Sequence, residues 1–225
     1  MEGFLRKLSP FVHQDLAADY TTLFRRIRMF ELSLSDTIKQ TEGDVIVAID
    51  STGIKVTNRG EWMREKWQIH RGWIKVHVVI DRQSREILAM DVTDETISDE
   101  TCCIPLIDSA QDSIQSGTIR NILGDGAYDH LSIFNELEDR HISSSIKIRS
   151  NASRRSYGSA LRAEWAREFL DYGYREWAQR HNYGSRWSVE GVFSSMKQIF
   201  GESVKATSID GMFHELRLKF LSTIF

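Results

Sequence analysis

Cysteine is almost missing from the 225 residues: Cys102 and Cys103 are the only two, and they are adjacent. Adjacent cysteines do not make an ordinary structural staple, and no zinc-ligand spacing is present, which argues for a reduced, cytosolic protein. Proline is as scarce, with only Pro10 and Pro105, so no proline-rich linker divides the chain. No apolar run approaches the length of a membrane span, and the N-terminal MEGFLRKLSP has no secretory core. Low-complexity tracts and internal repeats are also missing. A large excess of charge of one sign is lacking too: the formal net charge is -3, which by itself says nothing in favour of nucleic acid.

What is present begins with 41% apolar residues, enough for one sizeable core with a small appended piece. The charge is unevenly placed. Between Glu86 and Asp139 thirteen acids face one base, Arg120, whereas Arg140 to Arg186 holds ten bases against four acids. Such a basic block suits either a phosphate-binding face or a solvated helix surface.

The polar stretch KQTEG, Lys39 to Gly43, precedes an apolar run and marks a boundary. It divides residues 1–42, a helical region, from a main domain over 43–225. In the first part Asp19 is placed to cap a helix over Tyr20 to Phe30, with Leu23, Ile27 and Phe30 on its apolar face. In the second, Val45 to Ile49 reads as a strand. Lys75 to Asp81 and Glu86 to Thr93 read as a hairpin. A helix over Asp99 to Asp112, a strand over Ile119 to Gly124, a helix over His130 to Arg140 and a strand over Ile142 to Ile148 follow. Two longer helices, Ala160 to Gln179 and Arg186 to Phe200, come last. This order predicts an α/β fold with a mixed five-stranded sheet and helices on its faces.

Asp50 and Asp125 each follow an apolar strand. Acids there project into a common crevice when the strands are neighbours. Taken singly, each fits a turn equally well, since Asp50-Ser51-Thr52-Gly53 and Asp125-Gly126 are turn-prone. Glu190 is more informative. At about 100° per residue, Tyr183, Arg186, Glu190 and Lys197 fall on one narrow stripe if the helix begins early enough to include Tyr183. An acid flanked by two cations and a phenol suits a phosphate and its metal ions, while a surface salt-bridge stripe uses the same spacing. Val189, Val192, Phe193, Met196 and Phe200 form the core side of that helix. Three carboxylates with no histidine or cysteine cluster suit hard divalent ions.

At these residues the chain resembles the DDE transposases of prokaryotic insertion sequences. Ala48-Ile49-Asp50-Ser51-Thr52-Gly53-Ile54-Lys55 resembles the first-aspartate block, and Gly124-Asp125-Gly126-Ala127-Tyr128-Asp129 the second. Tyr183, Arg186, Glu190 and Lys197 match the Tyr-x2-Arg-x3-Glu-x6-Lys motif at every defined position. The resemblance runs from about residue 44 to the C-terminus. It implies a ribonuclease H-like catalytic domain in which Asp50, Asp125 and Glu190 are catalytic and hold two Mg²⁺ ions, with Mn²⁺ as substitute. The implied reaction is strand cleavage at element ends followed by strand transfer into target DNA. The implied partners are double-stranded DNA and, in the active complex, a second copy of the chain, in the cytoplasm at the nucleoid. Tyr183, Arg186 and Lys197 are the implied phosphate or DNA contacts; Lys55 and Arg59 are further candidates to approach DNA near the first aspartate.

The resemblance also implies a fuller DNA-binding region than residues 1–42 supply. These resemble the later part of a helix-turn-helix-like region, with Thr21, Thr22, Arg25 and Arg26 facing DNA if Tyr20 to Arg28 is a recognition helix; a packing helix fits equally. A shortened copy that only binds DNA or a partner, and a nuclease that cuts without joining, stay open. Among smaller candidates, Asp129 is placed to cap a helix at His130, Asp81 to form the hairpin turn, and His70 and His77 to lie at the surface or in the sheet. Trp62, Trp67 and Trp73, interleaved with Arg59, Arg64, Lys66 and Arg71, fit either a loop anchor or a stacking surface for unpaired DNA. Ser153, Arg154 and Arg155 suggest a basic loop.

Overall fold

A computed structural model describes residues 19–29, 43–56, 73–155 and 157–223. The chain divides into two compact units, Met1–Ser33 and Leu34–Phe225. In the first lies α1 (Tyr20–Met29). Its start is capped as the sequence implies: Asp19 Oδ1 accepts from Thr22 N at 2.6 Å and from Thr21 Oγ1 at 2.7 Å. The side chains of Ile27 and Phe30 lie outside the described residues, as do His70, Trp62, Trp67 and their basic neighbours Arg59, Arg64, Lys66 and Arg71.

The second unit runs β1 (Val45–Val56), β2 (Trp73–Asp81), β3 (Ile87–Asp94), α2 (Asp99–Asp112), β4 (Ile119–Gly124), α3 (Leu131–Asp139), β5 (Ser143–Ile146), α4 (Ala160–Arg180), α5 (Trp187–Phe200), β6 (Ser203–Val204) and α6 (Ile209–Leu221). The strands form one mixed sheet in the order β3-β2-β1-β4-β5, with β6 added beside the far end of β1. β1, β2 and β3 are antiparallel, and β1, β4 and β5 parallel. This is the anticipated α/β mixed sheet, with a two-residue sixth strand.

Strand side chains alternate between faces, and β1 divides its residues accordingly. Val45, Val47 and Ile49 pack into a core with residues of α2, α3 and α4, among them Leu106, Phe134 and Phe169. Ala48, Ile54 and Val56 pack into a second core with Val189, Phe193 and Met196 of α5 and Met212, Leu216 and Phe220 of α6. Helices therefore cover both faces, and β2 is correspondingly buried throughout from Val76 to Ile80, with His77 the one polar residue in that stretch.

Four sequence expectations are corrected. β1 does not stop at Ile49: it continues through Ser51, Thr52 and Gly53, which pair with His77, Val76 and Lys75. Turn propensity yields here to tertiary packing. Trp73 lies across Gly53, where an added Cβ would come within 3.0 Å of the ring. α6 and β6 were not anticipated, although Met212, Leu216 and Phe220 have helical spacing and Ser208 Oγ accepts from Gly211 N at 3.1 Å as a cap. β5 is shorter than Ile142 to Ile148. Asp129 does not cap α3, whose N-cap position is His130; it forms a buried ion pair instead, described below.

Asp81 does form the hairpin turn, accepting from Gln83 N at 3.1 Å and Ser84 N at 2.9 Å. His77 is a sheet residue, fully buried, with Nε2 2.9 Å from Thr93 Oγ1. Because α6 seals one face of the sheet through fully buried side chains, Leu216→Ala is expected to cost about 3 kcal/mol in urea unfolding, in the range of large-to-small core substitutions. A loss under about 1 kcal/mol would contradict this packing.

Candidate active site

β1 and β4 are parallel neighbours, and their pairing ends at Ala48 opposite Leu123. Asp50 and Asp125 each lie two residues further on, so the two acids leave the sheet side by side and at one level. Ala48 and Leu123 both face the core made by α5 and α6. By strand alternation Asp50 shares that face. It is not at a strand end, as the sequence suggested, but midway along β1, where its neighbour β4 stops.

Asp125 does serve as a turn cap: its Oδ1 accepts from Ala127 N at 2.7 Å, at the start of the 3-10 turn Gly126–Tyr128. Its second oxygen accepts no hydrogen bond among the described residues. The turn is held from outside by residues that the sequence did not single out. Arg149 Nε donates to Gly126 O at 2.7 Å, and Arg149 N donates to Asp129 Oδ2 at 2.9 Å. Arg162 grips the buried Asp129 through Nε at 2.6 Å and Nη2 at 2.9 Å, a two-point ion pair. The only trace of this in the sequence is that Arg149 and Arg162 belong to the basic block.

Glu190 stands in the first turn of α5, not mid-helix, where the positive end of the helix dipole favours an anion. Tyr183 to Arg186 precede that helix as a 3-10 turn, so the single four-residue stripe does not form. A 3-10 turn eclipses residues three apart, and the Arg186 Cζ lies 5.9 Å from the centre of the Tyr183 ring. Tyr183 itself is buried in the core beneath α4. Arg186 then reaches both remaining acids. Its Nη1 donates to Asp50 Oδ2 at 2.7 Å and its Nη2 to Glu190 Oε1 at 2.6 Å.

The charges respond to this arrangement. Burial, and then the charge of Asp125, push the Asp50 carboxyl above its ordinary range against the opposing pull of Ser51 N–H and Arg186. Burial works against the charge on Arg186, but Tyr183, Asp50 and Glu190 outweigh it and raise its proton affinity. Burial pushes the Tyr183 phenol up to about 12, so it stays neutral at physiological pH.

The other sequence candidates are dispersed. Lys197 lies seven residues after Glu190 on α5, about two turns on and so on the same side, half-buried and without an ion pair among the described residues. Lys55 is on the opposite face of β1 from Asp50, its Nζ 5.5 Å from the centre of the Trp73 ring. Arg25 and Arg26 are exposed on α1 in the first unit. Arg154 is engaged with Asp171 at 2.8 Å.

The donor set fits a hard divalent cation: Asp50, Asp125 and Glu190 offer only carboxylate oxygen, and a cation already bridges two of them. Among the described residues no three acids converge closely enough to hold an ion in this conformation. The positive charge between Asp50 and Glu190 is the Arg186 guanidinium, which has to withdraw before both acids can share another cation.

Residues 41–225 match the family model described as "Transposase DDE domain", and residues 1–59 match a second model of the same description. Among solved structures, the chain is similar at 16% identity to a chain of the simian T-cell lymphotropic virus intasome in complex with PP2A regulatory subunit B56 gamma. That match covers 76% of this chain and 58% of the other, with a TM-score of 0.32, too low to bear on the assignment. Among the described residues no helix is long and apolar enough to cross a membrane.

The raised Asp50 pKa has a stability consequence with a defined sign. A folded-state value above the unfolded one means that the folded chain holds this proton more tightly, so the contribution is present at low pH and lost as pH rises through the folded value. In urea unfolding, the stability of wild type minus that of Asp50→Asn is therefore expected to fall as pH goes from the acid range to neutral. A difference that grows with pH would contradict the burial and charge assigned to Asp50.

Proposed function

Because the chain belongs to the transposase DDE domain family, we propose that it cuts DNA at the ends of a prokaryotic insertion sequence and joins the freed 3′-hydroxyl to target DNA. The observation that carries this reading is the Arg186 bridge, which draws together Asp50 from β1 and Glu190 from α5, beside the strand end that carries Asp125. Asp50, Asp125 and Glu190 would hold the divalent ions, two of Mg²⁺ with Mn²⁺ as substitute. When bound, such ions supply Lewis-acid stabilisation of the attacking and leaving oxygens in an in-line displacement.

The chain's own residues do the rest. Arg186, released from the acids, presents its planar fork to the phosphate oxygens of the scissile strand. Lys197, on the same side of α5, adds a second cation. Tyr183, buried and neutral, keeps the 3-10 turn and thus Arg186 at a fixed height. Arg149, Asp129 and Arg162 hold the turn that presents Asp125. Joining uses the same groups, with a DNA hydroxyl replacing water as nucleophile. Two element ends are held by two copies of the chain, in the cytoplasm at the nucleoid, with residues 1–42, through Arg25 and Arg26, contributing to end recognition.

The test uses end-labelled linear DNA carrying the chromosomal flanks of the coding sequence, in Mg²⁺ or Mn²⁺. Cleaved and joined products are both expected. Glu190→Gln and Asp125→Asn should lower both at least about a thousandfold, the scale expected when a metal clamp is lost, without lowering DNA affinity. Cleavage with no joined product would replace the proposal by a nuclease of the same fold. DNA binding with neither product would replace it by a binding-only copy.

A further inference from the structure

We propose that Lys147 and Tyr174 form a shelf beside the three acids that holds the sugar–phosphate backbone of a DNA strand, with Lys147 as the phosphate-binding cation and Tyr174 as its positioning residue. The proposal rests on the DNA-processing function above and assigns a part of the strand's path to residues outside the four-residue motif.

Lys147 follows directly on β5, and its N–H donates to Gly124 O at 3.0 Å, the carbonyl immediately before Asp125. Its backbone is thus tied to the strand end that carries the second acid. The side chain is half-buried, yet among the described residues it has no carboxylate partner. Its neighbour is an aromatic face instead: Nζ lies 5.1 Å from the centre of the Tyr174 ring. A half-buried ammonium facing a ring and no carboxylate keeps donors for an anion.

Tyr174 is placed by a break in its helix. Gly173 has φ 75° and ψ 168°, a left-handed conformation that side chains disfavour, and it kinks α4. Tyr172, on the other side of the break, turns to Arg180, whose Cζ is 3.7 Å from its ring centre. Tyr174 turns instead to the active site and meets Tyr183 edge-on, with centroids 6.2 Å apart and planes at 83°. About half of Tyr174 stays exposed, at 52%.

The result is a continuous row: Lys147, Tyr174, Tyr183, Arg186, then Asp50 and Glu190. The phenol of Tyr183 senses Arg186, Asp125, Tyr174 and Asp50 together, so the row and the acids share one electrostatic neighbourhood. Lys147 stands on one side of the two rings and Arg186 on the other, with the acids beyond it. That pattern suits a backbone passing from phosphate to phosphate over the half-exposed Tyr174 ring. With Arg186 on the phosphate at the acids, Lys147 meets one further along the same strand.

Binding of a fluorescein-labelled duplex with a single-stranded extension, followed by anisotropy over a salt series in Ca²⁺, tests this in the full chain. Lys147→Gln keeps most of the stem and is expected to weaken binding about three- to tenfold and to lower the salt slope by about one, the effect of losing one phosphate contact. Lys147→Arg should retain the wild-type slope. Tyr174→Leu should act as Lys147→Gln does, and Tyr174→Phe should restore affinity, which separates ring placement from folding; thermal melts of each variant check the fold. Wild-type affinity and slope in Lys147→Gln, with binding weakened in Arg186→Ala, would overturn the shelf and leave the proposed function standing. No binding by the wild type at any salt concentration would remove both.

Discussion

The ion-pair bridge from Arg186 to Asp50 and Glu190 joins parts of the chain that no local rule brings together: the middle of β1, a 3-10 turn and the start of α5. A guanidinium with only 18% of its side chain exposed, between two acids, offsets a repulsion that would otherwise oppose the packing of α5 on the sheet. The same bridge occupies one oxygen of each acid. Under the proposed function, folding and chemistry would make competing demands on this one residue, since Arg186 would have to leave the acids before they took up a cation.

The fold sets where the three acids stand. Parallel pairing of β1 with β4 sets Asp50 and Asp125 at one level, and the end of β4 opens space beside Asp50. Val189, Phe193 and Met196 fix α5 on the sheet face that carries Asp50, which decides where Glu190 can stand. Behind Asp125, the Arg149–Asp129–Arg162 group replaces the freedom of a glycine-containing turn with three charge-assisted contacts. Rigid supports of this kind under the acids are what the proposed metal-holding role requires.

Much of this was legible in the sequence. The apolar runs at Val45 and Ile119, the spacing from Tyr183 to Lys197, and the resemblance they carry were enough to foresee the mixed sheet and to single out Asp50, Asp125 and Glu190 as candidates. In most of the misreadings, tertiary contacts overruled local propensity. Ser51-Thr52-Gly53 reads as a turn, but pairing with β2 and the Trp73 ring over Gly53 keep it extended. Tyr183 was assigned to a helical stripe, but packing against Trp177, with ring centroids 5.1 Å apart, goes with a 3-10 turn there. Asp129 reads as a cap because its partner Arg162 is 33 residues away. α6 went unread although its apolar residues have helical spacing.

The most direct measurement is Mn²⁺ binding followed by calorimetric melting of the full chain. An ion held by all three acids stabilises the folded state through linkage. Mn²⁺ should raise the melting temperature of the wild type, should raise that of Arg186→Ala by more because the competing guanidinium is gone, and should leave Asp125→Ala unchanged. Equal Mn²⁺ effects in the wild type and Asp125→Ala, or none in the wild type and Arg186→Ala alike, would contradict the account of three acids holding divalent cations together.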